Sequence, residues 1–398
     1  VKAAETDVPI DNKTFPDATF LKYVGRFDKS GDGRLSESER NAVKEIVVNV
    51  DPFSSQTKIT SLAGIEYFPN LTVLECESNS LAGLDVTKNK KLQELNCDKN
   101  NLQSLDVSQN TKLEGLHVYN TQVTALDLSN MTNLTTLACY NNNLTSLNIS
   151  GDTALKTLSC YQNRLTSLDI GDSSELTDVS CSQNGITELD LSQNTQLENL
   201  HCANNSLTTL DVSKNLNITS LDCGSNKLTT LDLRTNTKLE YLRCVYNKLT
   251  SLDVSANTAL QSLYTSHNTS LKSLDVSKNP ELVNLVCENN GLTSLDVSAN
   301  TKLYMLQCSS NKLKSLDVSK KQSLSTLDCN DNEIGGLDIR QNTSLSSMNF
   351  SINPIKVLKV TDKYSDRNLE GNIMMYDTVE IDMGQISGWD VNSISNIT

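Results

Sequence analysis

Aromatic residues make up only 5% of this 398-residue chain, and there is a single tryptophan. A core built around large rings is therefore excluded. No run approaches the 18 apolar residues of a membrane-spanning helix, so insertion into a bilayer is not expected. Basic charge is also scarce. Against 48 Asp and Glu stand 34 Lys and Arg, a formal net charge of −14, which argues against a nucleic-acid partner. No G-x-S-x-G, Gly-rich phosphate loop or H-E-x-x-H is present, so the chain is not expected to be an enzyme.

Clustered cysteines are missing too. The 11 cysteines stand at 76, 97, 139, 160, 181, 202, 223, 244, 287, 308 and 329. Disulfide frameworks and zinc sites have uneven, local spacings. Here each gap is 21, 42 or 43 residues, and that regularity marks an internal repeat.

From Leu71 the chain reads L-x-x-L-x-C-x-x-N-x-L-x-x-L-D-V-S-x-N-T-x and then restarts, through fourteen repeats to the one opening at Leu345. The step from Leu260 to Leu282 takes 22 residues, and the extra one in "HNTSLKSL" predicts a bulge. Each repeat has too few apolar residues to close a core, so coils must stack into one column. The segment around Leu74 and Cys76 alternates in and out, predicting parallel strands about 4.8 Å apart in successive coils.

This signature resembles the leucine-rich repeat. The 21-residue period, the cysteine in the third apolar slot and "LTSLDVSxNT" are similar to the internalin-J type of bacterial surface protein. The resemblance implies an α/β solenoid, a right-handed superhelix with a parallel β-sheet on its concave face. It also implies an inward thiol ladder, in which Val118, Thr265 and Phe350 replace cysteine. A buried thiol packs as a small hydrophobe rather than reacting. The asparagine slot, Asn79, Asn100, Asn142 and on to Asn353, is expected to bond backbone groups of the turn. Thr121 is its exception. The aspartates after the second Leu, such as Asp85, Asp106 and Asp169, recur every coil and are expected to shape turns.

Function is expected where the repeat leaves the residue free, on the outward strand positions. Tyr119, Tyr140 and Tyr161 fall there on neighbouring coils. So do Tyr241, Arg243, Tyr246 and Tyr264, and the three histidines His117, His201 and His267, which stand too far apart to share a metal. Lysine is nearly absent from these positions, Lys99 being the exception. Enriched Tyr and Arg with depleted Lys is the composition of a binding surface. The competing reading is that the tyrosines merely stack and stiffen the sheet.

At the N-terminus, Asp28, Ser30, Asp32, Gly33, Arg34, Ser36 and Glu39 match an EF-hand loop. The side chains of Asp28, Ser30, Asp32 and Glu39, the Arg34 carbonyl and a water held by Ser36 would bind one Ca²⁺. Ser30 in place of an acid predicts weak affinity, on the order of 10⁻⁴–10⁻³ M. The alternative is a metal-free helical cap of the same shape. Phe20, Val24 and Phe27 predict the entering helix, and Ala42, Val43 and Ile46 the leaving one.

The expected organisation is a tail over 1–13, an EF-hand-like cap over 14–50, the solenoid over 51–358 with a lead-in coil before its 14 repeats, and a C-terminal cap over 359–398 with Trp389. The resemblance implies a secreted or cell-surface bacterial protein, a monomer, that binds a protein partner on a host surface or matrix. A glycan ligand stacked on the tyrosines and a rigid surface spacer are the alternatives. Free thiols argue against an extracellular site unless burial protects them.

Overall fold

The computed structural model describes residues 7–51, 53, 55–359 and 380–382. The chain divides into two compact units, Val1–Leu197 and Glu198–Thr398.

In the first unit a parallel sheet begins at Glu45–Val47 and continues through Val73–Glu75, Glu94–Asn96, Gly115–His117, Thr136–Ala138, Thr157–Ser159 and Asp178–Ser180. Register holds from coil to coil: Leu74 pairs with Leu95, Leu95 with Leu116, Leu137 with Leu158 and Leu158 with Val179. These central residues are buried, while the residues on either side face outward. A side-chain period of two on a strand of three makes that division. The second unit repeats the pattern through Asn199–His201, Ser220–Asp222, Tyr241–Arg243, Ser262–Tyr264, Asn284–Val286, Met305–Gln307, Thr326–Asp328 and Ser347–Asn349. Fourteen repeat strands thus match the fourteen sequence restarts.

All eleven cysteines are free and buried, and Val118, Thr265 and Phe350 fill the same slot equally buried. The asparagine slot has the expected role. Asn100 Nδ2 donates to the carbonyls of Cys76 and Cys97 at 2.9 and 3.0 Å, and its Oδ1 accepts the Leu81 N–H at 3.0 Å. One amide ties two coils together. The aspartates shape turns as expected: Asp106 Oδ1 accepts the Ser108 N–H at 2.9 Å, and Asp211 does the same for Ser213. The extra residue of the 22-residue repeat is absorbed by a turn in which the Leu271 N–H donates to the Asn268 carbonyl at 2.8 Å.

Two further columns went unread in the sequence. The asparagine of "VSxN" forms a second fully buried ladder: Asn110 Nδ2 donates to the carbonyls of Val86 and Asn89, both at 2.9 Å. Met131, Asp152, Ser173 and Lys321 interrupt it, each buried. The residue before the first asparagine is left-handed in all fourteen coils, with φ between 47° and 62°. Asparagine and aspartate tolerate that conformation best, and Asn120, Asn141, Asn204, Asn289 and Asp331 occupy it.

Among the described residues, helix is confined to the N-terminal region. The helix Ala18–Val24 is capped by Asp17, whose side chain accepts from the Thr19 and Phe20 amides. The second helix, Glu37–Ala42, opens with a capping box between Ser36 and Glu39. It ends before Ile46, whose spacing from Ala42 and Val43 predicts it on the helix's apolar stripe. Ile46 instead sits in the first strand of the sheet, paired with Leu74. The β-branched run Ile46-Val47-Val48 favours that outcome. The expected cap of 14–50 thus contains a strand of the main sheet. Residues Val8–Pro9 of the expected tail form a strand antiparallel to Arg34–Leu35. In the lead-in coil, Ile59, Leu62, Ile65 and Phe68 are all buried, as read. Glu380–Asp382 pairs with Val357–Lys359 on a separate small sheet; the rest of the expected C-terminal cap, Trp389 included, lies outside the described residues.

Candidate interaction surface

The ten outward candidates fall into two groups, one in each unit. In the first, Tyr119, Tyr140 and Tyr161 occupy the slot just after the buried third apolar residue, beyond the strand itself. Parallel register places them on successive rungs. Their rings stack at 4.2 and 4.4 Å between centroids, inclined by only 10° and 8°. Tyr140 therefore has both faces covered and Tyr119 and Tyr161 one each, and each stacked pair is worth about 0.5–1.5 kcal/mol beyond burial. What Tyr140 offers its surroundings is a ring edge and a hydroxyl. Burial first, then a hydrogen bond with Tyr119, pushes the Tyr140 phenol well above its ordinary range.

One rung before the stack stands Asp98, which the sequence reading did not single out. It is buried, and its Oδ1 accepts the Tyr119 N–H at 2.7 Å. Burial raises its carboxyl to about 7, against the lowering effect of that amide. Lys99 adjoins it in the left-handed slot. Its Nζ lies 2.7 Å from Glu77 Oε1 and 5.9 Å from the Tyr119 ring centroid. A tyrosine slot shared with an acid one rung away was the available signal. His117 lies on the strand itself, half-buried, between Asn96 and Ala138 in register.

In the second unit, register sets His201, Asp222, Arg243 and Tyr264 side by side. Arg243 Nη1 reaches both Asp222 carboxylate oxygens at 3.3 Å. Tyr241 meets Tyr264 obliquely, at 5.5 Å and 44°. Tyr246 and His267 are not on the strands: both take the left-handed turn, with φ 53° and 62°. Their rings stack at 4.0 Å, and His267 Nδ1 lies 2.8 Å from Asn289 Nδ2. His267 is thereby spoken for as a structural residue, whereas Tyr246 remains 54% exposed.

The 28–39 loop closes on its own amides. Asp28 Oδ2 accepts the Gly33 N–H at 2.9 Å and Oδ1 accepts from Gly31. Asp32 accepts the Arg34 N–H at 3.0 Å. Glu39 Oε1 accepts the Lys29 and Ser30 amides at 2.7 and 3.0 Å, and Oε2 takes the Ser36 N–H and hydroxyl. These bonds hold the carboxyls of Asp28 and Glu39 below their usual range. The strand Arg34–Leu35 inside the loop finds its partner in Val8–Pro9 rather than in a second hand. Among the described residues, no group of three His, Cys, Asp or Glu side chains converges as a metal cluster, and no helix is long and apolar enough to cross a membrane.

No protein-family model matches the chain. No curated protein matches it either. Solved structures do. The functional domain of InlJ from Listeria monocytogenes, which includes a cysteine ladder, is 34% identical, with a TM-score of 0.82 over 93% of this chain and 82% of that one. A leucine-rich repeat protein of Leptospira interrogans is 24% identical, with a TM-score of 0.70 over 81% of this chain and 87% of that one. The internalin InlF of Listeria monocytogenes, 20% identical at a TM-score of 0.54, covers 96% of this chain. The last two show the fold alone. With its buried thiol column, its 21-residue coil and its identity to InlJ, the chain belongs to the cysteine-ladder leucine-rich repeat internalins.

Proposed function

We propose that this chain is a secreted or cell-surface protein that binds a protein partner through the outward faces of its strands, in adhesion or host interaction, as a monomer. The observation that carries this reading is the Tyr119–Tyr140–Tyr161 stack. A rigid, pre-stacked aromatic row offers large contact area at little cost in side-chain entropy. Membership of the internalins supports the surface location. The glycan alternative draws less support, because sugar stacking needs open ring faces and Tyr140 has both of its faces covered.

The test is capture from the organism's surroundings with the wild type and with Tyr119→Ala/Tyr140→Ala/Tyr161→Ala, the bound proteins being identified by mass spectrometry. A partner held by the wild type and lost by the triple variant supports docking at the stack. Equal capture by both points to the rigid-spacer reading instead.

We propose also that the 28–39 loop takes one weakly held calcium ion. Asp28, Ser30, Asp32, the Arg34 carbonyl, Ser36 and Glu39 would hold it. The oxygen-only donor set and the Asp28–Gly33 hydrogen bond support this. Competition from the amides already bonded to Glu39 supports low affinity.

A further inference from the structure

The strand face of the first unit carries mainly one sign of charge. Its outward positions hold Glu75, Glu77, Glu94 and Asp178 against one lysine, Lys99. Immediately before the strands stand one more acid, Glu114, ahead of Gly115–His117, and the lysines Lys44 and Lys156, ahead of Glu45–Val47 and Thr157–Ser159. Glu94 folds over Gly115, into the space that a Cβ there would occupy. Burial raises its carboxyl, Glu114 and Glu75 raise it further, and His117 opposes them.

Two of these acids are met by neutral amides. Asn49 Nδ2 donates to Glu75 at 2.7 Å, and Gln93 Nε2 to Glu114 at 2.9 Å. Amides satisfy lone pairs but leave the charge uncompensated. At the head of the tyrosine stack the chain shows how a cation is accommodated here. Lys99 sits between the Glu77 carboxylate and the Tyr119 ring, gaining an ion pair and a distant ring contact together. Among the described residues, no lysine or arginine forms an ion pair with Glu75, Glu94 or Glu114.

We infer that this face docks a basic segment of the partner protein, with lysine or arginine heads seated among Glu75, Glu94 and Glu114. The inference rests on the protein-partner reading above and names the partner's chemistry. Charge complementarity selects the segment, because its cations relieve the repulsion among the three glutamates. Attraction across a one-sign face also speeds encounter and makes it sensitive to salt.

The test uses the full chain and a fluorescein-labelled decapeptide of alternating Lys and Ser, with Glu-Ser and Gln-Ser versions as controls, read by fluorescence anisotropy. The Lys-Ser peptide is expected to bind, the Glu-Ser and Gln-Ser peptides not. Raising salt to roughly 0.3 M should weaken binding about tenfold. Glu75→Gln/Glu94→Gln/Glu114→Gln should weaken it at least about tenfold with an unchanged circular dichroism spectrum, while Glu281→Gln, in the second unit, should leave it intact. Absence of Lys-Ser binding, equal binding of the Gln-Ser peptide, or full binding by the triple glutamine variant overturns the inference. Failure here together with loss of a captured partner in the tyrosine triple variant would sink only the basic segment and leave docking at the stack standing.

Discussion

The side-chain amide of Asn226 donates to the carbonyl of Cys202, one coil back, at 3.0 Å, and its Oδ1 accepts the N–H of Leu207 at 3.0 Å. Asn226→Ala takes the acceptor from the buried Leu207 N–H and removes one of the two side-chain amides on the Cys202 carbonyl, which keeps Asn205 Nδ2 at 3.1 Å. The expected loss is about 1–3 kcal/mol, read as a lower urea midpoint. Asn226→Asp should cost more, since a carboxylate cannot donate to Cys202. If Asn226→Ala unfolds at the wild-type midpoint, the ladder is ornamental.

Asp152 stands in the second asparagine ladder, fully buried, with Oδ1 accepting the Met131 N–H at 2.7 Å. Burial raises its carboxyl to about 7, as it does for Asp98. Both folded-state values lie above the unfolded one, so each group's contribution is present at low pH and is lost as pH rises through about 7. The thermal midpoint should fall between pH 5 and pH 8, by the equivalent of on the order of 2 kcal/mol per site. Asp152→Asn and Asp98→Asn should each remove part of that slope. A pH-independent wild type would contradict the assignment.

The thiols are expected to be silent. Burial pushes Cys139 up to about 12, and every cysteine is enclosed. Iodoacetamide at pH 8 should label none of the 11 in the native chain and all of them in urea, counted by intact mass.

Ile352 holds the left-handed turn at φ 56° and is half-exposed. A β-branched residue is strained there by about 1–2 kcal/mol. Ile352→Asn should raise the thermal midpoint, whereas the same exchange at an ordinary exposed position should not.

Calcium should raise the melting temperature of the N-terminal region at millimolar concentration. Asp28→Asn/Asp32→Asn should abolish the rise. A wild type indifferent to calcium sinks the ion and leaves a self-closed helical cap.

The strands and both buried sides of each coil were legible because one residue type recurs at one period, as the inward slots demand. The tyrosine row was legible from the same 21-residue spacing, although its stacking was not: ring inclination depends on backbone geometry just past the strand, where the left-handed turn begins. Ile46 was misplaced because apolar residues at 42, 43 and 46 fit a helix as well as a strand, and pairing with Leu74 decided between them. The second asparagine ladder was visible in "VSxN" but sits beside the more obvious turn aspartate, whose local bond hides the longer one. Asp98 and Glu94 escaped because single acids on a polar face carry no period.

Every thiol in the column stays unlinked, and Cys76 and Cys97 each point their sulfur at a carbonyl of the next coil, Asn96 at 3.4 Å and His117 at 3.5 Å. Assembly therefore waits on no oxidant and no isomerase, and the coils can close one after another as the chain emerges. The folded chain should keep its stability in dithiothreitol and in air alike.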